Sequence, residues 1–316
     1  MTARPASRIS LRAELARVGL RWFVRHRSHH QAIAQARDSF RAMEMLVPRP
    51  PPNTRTTAVD AGGVSGKLIV TPSSRADRHV LYLHGGGYRL GATVTYRHFT
   101  WRIASATRAQ LLAIDYRLAP EHPFPAALED ALSAFRWLRQ SGAQTIVVMG
   151  HSAGGGLALA LLLRLRDEGL SLPAAAVALS PWTDLALTGA SLKRNAAADP
   201  MLNADDLPQF AADYLAGADP HNPYASPLYG DPTGLPPTLI HVGGDEILLD
   251  DAVRMAEKMR AAHCHVELQI WPRMPHVWHL LAPVLPEAKY AIAGIGDFVE
   301  RMLAEQKPQR TSATAQ

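Results

Sequence analysis

The sequence predicts an α/β protein whose central sheet is mostly parallel and covered by helices on both faces. Two observations predict it. Short apolar runs bounded by turn residues alternate with segments of helical periodicity along most of the chain. Those runs are apolar throughout rather than alternating, as strands buried on both faces are.

In the amino-terminal segment Leu11, Leu15, Val18 and Trp22 recur at helical spacing with arginines between them, which predicts an amphipathic helix packed onto the domain it precedes. The stretch "PRPPP" (48–52) separates it from the rest of the chain. Strands are predicted at "VLYLH" (80–84), "LLAIDY" (111–116), "TIVVMG" (145–150), "AAVALS" (175–180), "TLIHVG" (238–243) and "VELQIW" (266–271). Helices are predicted over 124–140, 153–167, 251–262 and 287–304. Leu128, Ala131, Leu132, Phe135 and Leu138 mark one face of the first. Residues 182–227 break the rhythm with Asp-Pro and Asn-Pro pairs and one short helical patch, "ADDLPQFAADYL". They read as an insertion over the carboxyl edge of the sheet, where open α/β sheets bind ligands. The tail after about residue 306 is polar and expected to fray.

Charge and cysteine content narrow the function. The formal charge is +5, but residues 1–30 hold seven arginines against Glu14 alone, so the rest of the chain carries no basic excess. Nucleic acid is therefore not an expected partner. Cys264 is the single cysteine; it permits no intrachain disulfide, and a reducing, cytoplasmic setting is expected. His263, Cys264 and His265 are consecutive, and side chains at i and i+1 do not converge on one ion, so an ordinary helix-to-strand junction is expected there rather than a metal site. The basic helix has no apolar stretch of signal-peptide length, and the run Ala153 to Leu163 is too short to span a bilayer. Stable membrane insertion is not expected, although an Arg-rich, acid-poor amphipathic helix is also the form of a transit peptide or a surface anchor.

The chemistry is concentrated in "VVMGHSAGGGLALALLLRL", where a strand ends, Gly-His-Ser-Ala-Gly comes next and a helix begins at once. This is G-x-S-x-G in strand–turn–helix context, which points to Ser152 as a nucleophile at a helix amino terminus. A serine hydroxyl needs a base and the base an orienting acid; with this turn the order is serine, acid, histidine. His276, in the loop between the last predicted strand and the last helix, is the expected base, and His279 the rival. The acid is expected in "IHVGGDEILLDDA". Asp250 and Asp251 are explained as helix caps, which leaves Asp245 and Glu246. The glycines of "YLHGGGYRLG" come directly after a strand, where missing side chains let backbone amides approach an oxyanion. Ala153, after the nucleophile, is expected to supply another amide.

Between about residues 78 and 300 the chain resembles the bacterial hormone-sensitive-lipase-like esterases of the α/β-hydrolase superfamily. The ordered motifs "HGGG" (84–87), "DYRLAPEHPFPAA" (115–127), "GHSAGG" (150–155), "LSPWTDL" (179–185), "EILLDD" (246–251) and "HVW" (276–278) carry the resemblance. It implies an α/β-hydrolase fold with a helical cap. Residues 1–50 and 182–227 would form the cap, 51–181 and 228–305 the two parts of the core, and 306–316 a disordered tail. The family's acid register implies Glu246 rather than Asp245. The oxyanion site would comprise Gly85, Gly86, Gly87 and Ala153, with Gly86 and Gly87 as loop donors and Gly85 shaping the turn. The family more often has an acidic residue where this chain has His151. "DYRLAPEHPFPAA" is implied to be scaffolding. The implied activity is hydrolysis of short- to medium-chain acyl esters without metal or organic cofactor, with Tyr88, Trp182 and Tyr214 as pocket walls and a homodimer as one assembly. Competing readings are hydrolysis of amides, lactones or carbamates, a non-catalytic binding protein, and a membrane-associated lipase anchored by the basic helix.

Overall fold

The computed structural model of the chain describes residues 9–25, 33–44 and 47–305. An eight-stranded sheet runs in the order β1-β2-β4-β3-β5-β6-β7-β8. Its strands are β1 (Arg55–Asp60), β2 (Ser65–Val70), β3 (Arg75–Leu83), β4 (Ala109–Ile114), β5 (Thr145–His151), β6 (Ala175–Leu179), β7 (Thr238–Gly243) and β8 (Val266–Trp271). From β4 to β8 all pairings are parallel; β1 and β2 form an antiparallel hairpin joined antiparallel to β4.

The six apolar runs are the six parallel strands. The hairpin was not among the expected strands, for a physical reason: β1, "RTTAVD", is almost wholly exposed at the sheet edge and has no buried face to produce a pattern. Its turn is legible only as Gly62 and Gly63, both at positive φ (73° and 88°).

Helices α1 (Leu11–Arg25) and α2 (Ile33–Glu44) precede the sheet, and α3 (Arg97–Thr107), α4 (Ala126–Gln140) and α5 (Ala153–Asp167) join its strands from β3 to β6. Then come the one-turn α6 (Ser191–Arg194), α7 (Leu207–Leu215), α8 (Leu249–Ala261) and α9 (Pro286–Glu305). Side-chain alternation divides the core. Leu81 and Leu83 pack with α4, α5 and α8, whereas Val80 and Tyr82 pack with α3 and α9 on the other face. Helix α3 was also not expected, because Thr100 and Thr107 share its buried face with Phe99 and Ile103 and blur the periodicity. Helix α5 is buried almost all round, Leu157 to Leu163 included; truncating one such leucine to alanine costs about 2–5 kcal/mol.

Two expectations are corrected. Helix α1 does touch the domain, but through Ala13, Arg17 and Arg21 rather than its apolar stripe. Leu11, Leu15, Val18 and Trp22 are 76, 64, 69 and 67% exposed. Asp250 and Asp251 are not caps of α8. Asp250 accepts the Ser191 amide and pairs with Arg194, and Asp251 accepts the Thr183 and Asp184 amides, so both tie the 182–227 segment to the core. Residues 1–8 and the tail 306–316 lie outside the described residues. Among the described residues no helix is long and apolar enough to cross a membrane.

Candidate active site

Ser152 stands between the end of β5 and the first residue of α5, with φ 54° and ψ −127°. A non-glycine residue held there stores about 1–3 kcal/mol of backbone strain. The glycines beside it make the turn possible. A Cβ on Gly150 would lie 2.0 Å from the Gly154 carbonyl oxygen, and one on Gly154 would lie 2.2 Å from that of Leu83 and 2.3 Å from that of His84. The elbow is thus pressed against the end of β3, where the "HGGG" loop starts.

His276 reaches Ser152 from the loop after β8; its Nε2 is 2.9 Å from Ser152 Oγ. Its Nδ1 is 2.8 Å from Glu246 Oε2. Glu246 lies just past β7, and its Oε1 accepts the Gly243 amide at 2.5 Å and the Ser180 hydroxyl at 2.6 Å. The loops after β7 and β8 approach closely because residue 243 is glycine: a Cβ there would stand 2.1 Å from the Met274 carbonyl oxygen. Burial pushes the Glu246 carboxyl above the usual range, while His276, Ser180 and Gly243 oppose the rise. All three neighbours can donate to it, the arrangement an ionised carboxylate needs.

Of the adjacent carboxylates, Glu246 is the one that meets His276; Asp245 pairs with Arg17 of α1 on the other side of the turn. His279 packs away from Ser152, with its Nε2 3.1 Å from buried His241 Nδ1. His263 to His265 span the junction of α8 and β8, where Cys264 Sγ donates to the Pro232 carbonyl.

Sequence reasoning missed two residues at this site. Ser180 donates to Glu246 and accepts the Val277 amide, so it ties the acid to the histidine loop. Asp199 accepts the Ile247, Met201 and Leu202 amides and braces the turn that carries Glu246. Ser180 had a signal: it directly follows β6, the strand beside the elbow, at the sheet edge where ligands bind. Asp199 had none, because the turn it braces is distant in sequence and is held through a backbone amide.

Gly86 (φ 124°) and Gly87 (φ 60°) turn the chain back after β3. A Cβ on Gly86 would strike the Leu90 carbonyl oxygen at 2.1 Å, and one on Gly87 would strike the Phe210 ring at 2.2 Å. The Gly86, Gly87 and Ala153 amides donate to no group among the described residues. Gly85 differs. Its amide donates to His151 Nε2 at 3.0 Å, so Gly85 shapes the loop and is not a free donor. Tyr88, Trp182 and Tyr214 are buried, and Tyr88 stacks on Tyr214 at 3.7 Å; this closes their faces against one another behind the loop. In the 115–127 stretch Asp115 accepts the Thr93 amide, Arg117 pairs with Asp130, and Glu121 pairs with Arg37 of α2.

A family model described as the alpha/beta hydrolase fold matches residues 80–280. The chain belongs to this family. An acetyl-hydrolase of Streptomyces hygroscopicus is 47% identical over 238 residues, which cover 75% of this chain and 80% of that protein. An esterase of Acinetobacter venetianus is 36% identical, covering 78% and 82%. Among solved structures, an esterase from the bacterial hormone-sensitive lipase family superposes with a TM-score of 0.88 at 42% identity, over 93% of this chain and 98% of that one. EstE5, in crystals soaked with p-nitrophenyl butyrate, gives 0.89 at 40% identity over 93% and 99%. The α/β hydrolase is thus of the hormone-sensitive-lipase-like esterase group.

Proposed function

We propose that this α/β hydrolase cleaves short- to medium-chain carboxylic esters through an acyl-serine intermediate. The observation that carries the reading is the chain of hydrogen bonds from Glu246 through His276 to Ser152, at 2.8 and 2.9 Å. Ser152 Oγ attacks the ester carbonyl carbon while His276 Nε2 takes its proton. Glu246 holds Nδ1–H and stabilises the imidazolium. The carbonyl oxygen becomes an oxyanion facing the Gly86, Gly87 and Ala153 amides, at the amino terminus of α5. His276 returns its proton to the leaving alkoxide, which departs as alcohol. A water then gives its proton to His276 and attacks the acyl-serine; as the intermediate collapses, His276 passes that proton to Ser152 Oγ, which releases the acid and restores the hydroxyl.

Short acyl chains are favoured because Phe210 of α7 packs directly against Gly87 and the Tyr88, Trp182 and Tyr214 cluster closes the region behind it. Relatives named acetyl-hydrolase and esterase support the same class. The test is a p-nitrophenyl ester series of increasing acyl length on wild type and Ser152→Ala. Turnover should fall with chain length, and the alanine variant should lose about 10⁴- to 10⁶-fold in kcat. Equal rates for the two proteins would remove Ser152 from the reaction.

A further inference from the structure

The carboxylesterase reading requires the Gly86 amide to be aimed before substrate arrives, and the loop that carries it has two glycines at positive φ with no side chain of their own to hold them. What fixes the loop lies beneath it. His151 is buried, and its Nε2 is 3.0 Å from the Gly85 nitrogen. An amide N–H can only donate, so Nε2 must be the bare nitrogen of a neutral imidazole and Nδ1 must carry the proton. Nδ1 lies 2.5 Å from the Tyr82 hydroxyl oxygen, which accepts that proton. Both ring nitrogens are therefore engaged in one direction only. The ring is stacked on Tyr82, with Tyr96 edge-on at 4.6 Å. Burial lowers the His151 pKa well below its ordinary value and keeps the imidazole neutral.

The two peptide groups that flank Gly85 are each held by side chains. In the first, the His84 carbonyl accepts the Tyr116 hydroxyl at 2.6 Å, and the Gly85 amide donates to His151. In the second, the Gly85 carbonyl accepts from His84 Nδ1 at 2.8 Å and from the Tyr96 hydroxyl at 3.3 Å. This second group also contains the Gly86 N–H. A planar trans peptide points its N–H opposite to its carbonyl, so holding the Gly85 oxygen inward turns the Gly86 N–H outward. The imidazole also explains the first glycine, since a Cβ at residue 85 would lie 2.7 Å from both Cδ2 and Nε2 of His151.

We propose that His151 is a positioning residue of the oxyanion loop: by accepting the Gly85 amide it locks the peptide planes that present the Gly86 amide to the substrate oxygen. The proposal rests on the esterase reading. It predicts an effect on turnover rather than on substrate affinity, because the oxyanion exists only after attack.

The test uses p-nitrophenyl acetate kinetics on the full chain for wild type, His151→Leu, His151→Asn and Tyr82→Phe, with circular dichroism to establish folding. His151→Leu, which has no acceptor, should lower kcat by about 10- to 100-fold, short of the full loss of a donor, with KM within about threefold. His151→Asn keeps an acceptor oxygen and should recover most of that loss. Tyr82→Phe leaves the imidazole but removes the acceptor that anchors its Nδ1–H, and should lower kcat about 2- to 5-fold. Wild-type kcat in His151→Leu, or an Asn variant as slow as the Leu variant, overturns the proposal. If His151→Leu does not fold, Tyr82→Phe decides, and an unchanged kcat there overturns it. Labelling of wild type by a phosphonate ester separates the two readings. An active wild type labelled at Ser152 beside a flat His151 series removes only the positioning role; a wild type neither active nor labelled removes the esterase reading itself.

Discussion

Ser152 lies between two neighbourhoods of opposite character. On one side, under the "HGGG" loop, the groups are neutral: His84, His151, Tyr82, Tyr96 and Tyr116 are buried, mutually packed rings that hold backbone groups in place. On the other side, between the loops after β7 and β8, the groups carry or exchange charge: Glu246, His276, Asp199 and the Asp245–Arg17 pair. The proposed reaction explains the division. The oxyanion needs fixed dipoles that do not reorganise during turnover, whereas the histidine needs a counter-charge that responds as it takes a proton.

The charged side is the more sensitive of the two to substitution. Glu246→Gln keeps the shape of the acid and removes its charge, and should lower kcat about 10³- to 10⁴-fold in steady-state ester hydrolysis. A variant within tenfold of wild type would mean that the counter-charge is not needed. The neutral side should fail in acid. Burial lowers the pKa values of both histidines there, His84 and His151. The unfolded chain therefore takes up protons first as pH falls through about 6.5. The stability these rings contribute is present above that pH and lost below it, by about 1.4 kcal/mol per pH unit for each histidine until its folded pKa is reached. Urea unfolding at pH 7.5 and 5.5 should show a clearly lower midpoint at the acid pH, and equal midpoints would contradict the neutral-ring account.

Smaller effects sharpen the boundary. Ser180→Ala removes one of three donors to Glu246 and leaves the Val277 amide without its acceptor; kcat should fall about tenfold with little change in KM. Asp245→Asn breaks only the partly exposed pair with Arg17 and should alter kcat less than about threefold. A larger loss there would mean that α1 helps to hold the Glu246 turn.

The parallel sheet, the elbow at Ser152 and the histidine loop were legible in the amino-acid order alone. Each depends on local patterns: continuous apolar runs, glycines required by close backbone approach, and a serine between a strand and a helix. That order left Asp245 and Glu246 unseparated by residue type or burial, and only the register of a family motif favoured Glu246. Tertiary structure decided that point physically, because adjacent side chains on a turn diverge: one meets Arg17, the other enters the core beside Ser180 and Gly243. It also decided which face of α1 meets the domain. The apolar stripe was legible, but contact is made through Ala13, which is buried in the apolar cluster shared with α3 and α9, and through Arg17, which pairs with Asp245. The partner of the Gly85 amide was fixed by the same kind of placement. Three glycines in a row mark a loop that something must approach closely, but only the fold places an imidazole under the first and leaves the amides of the next two without an acceptor among the described residues.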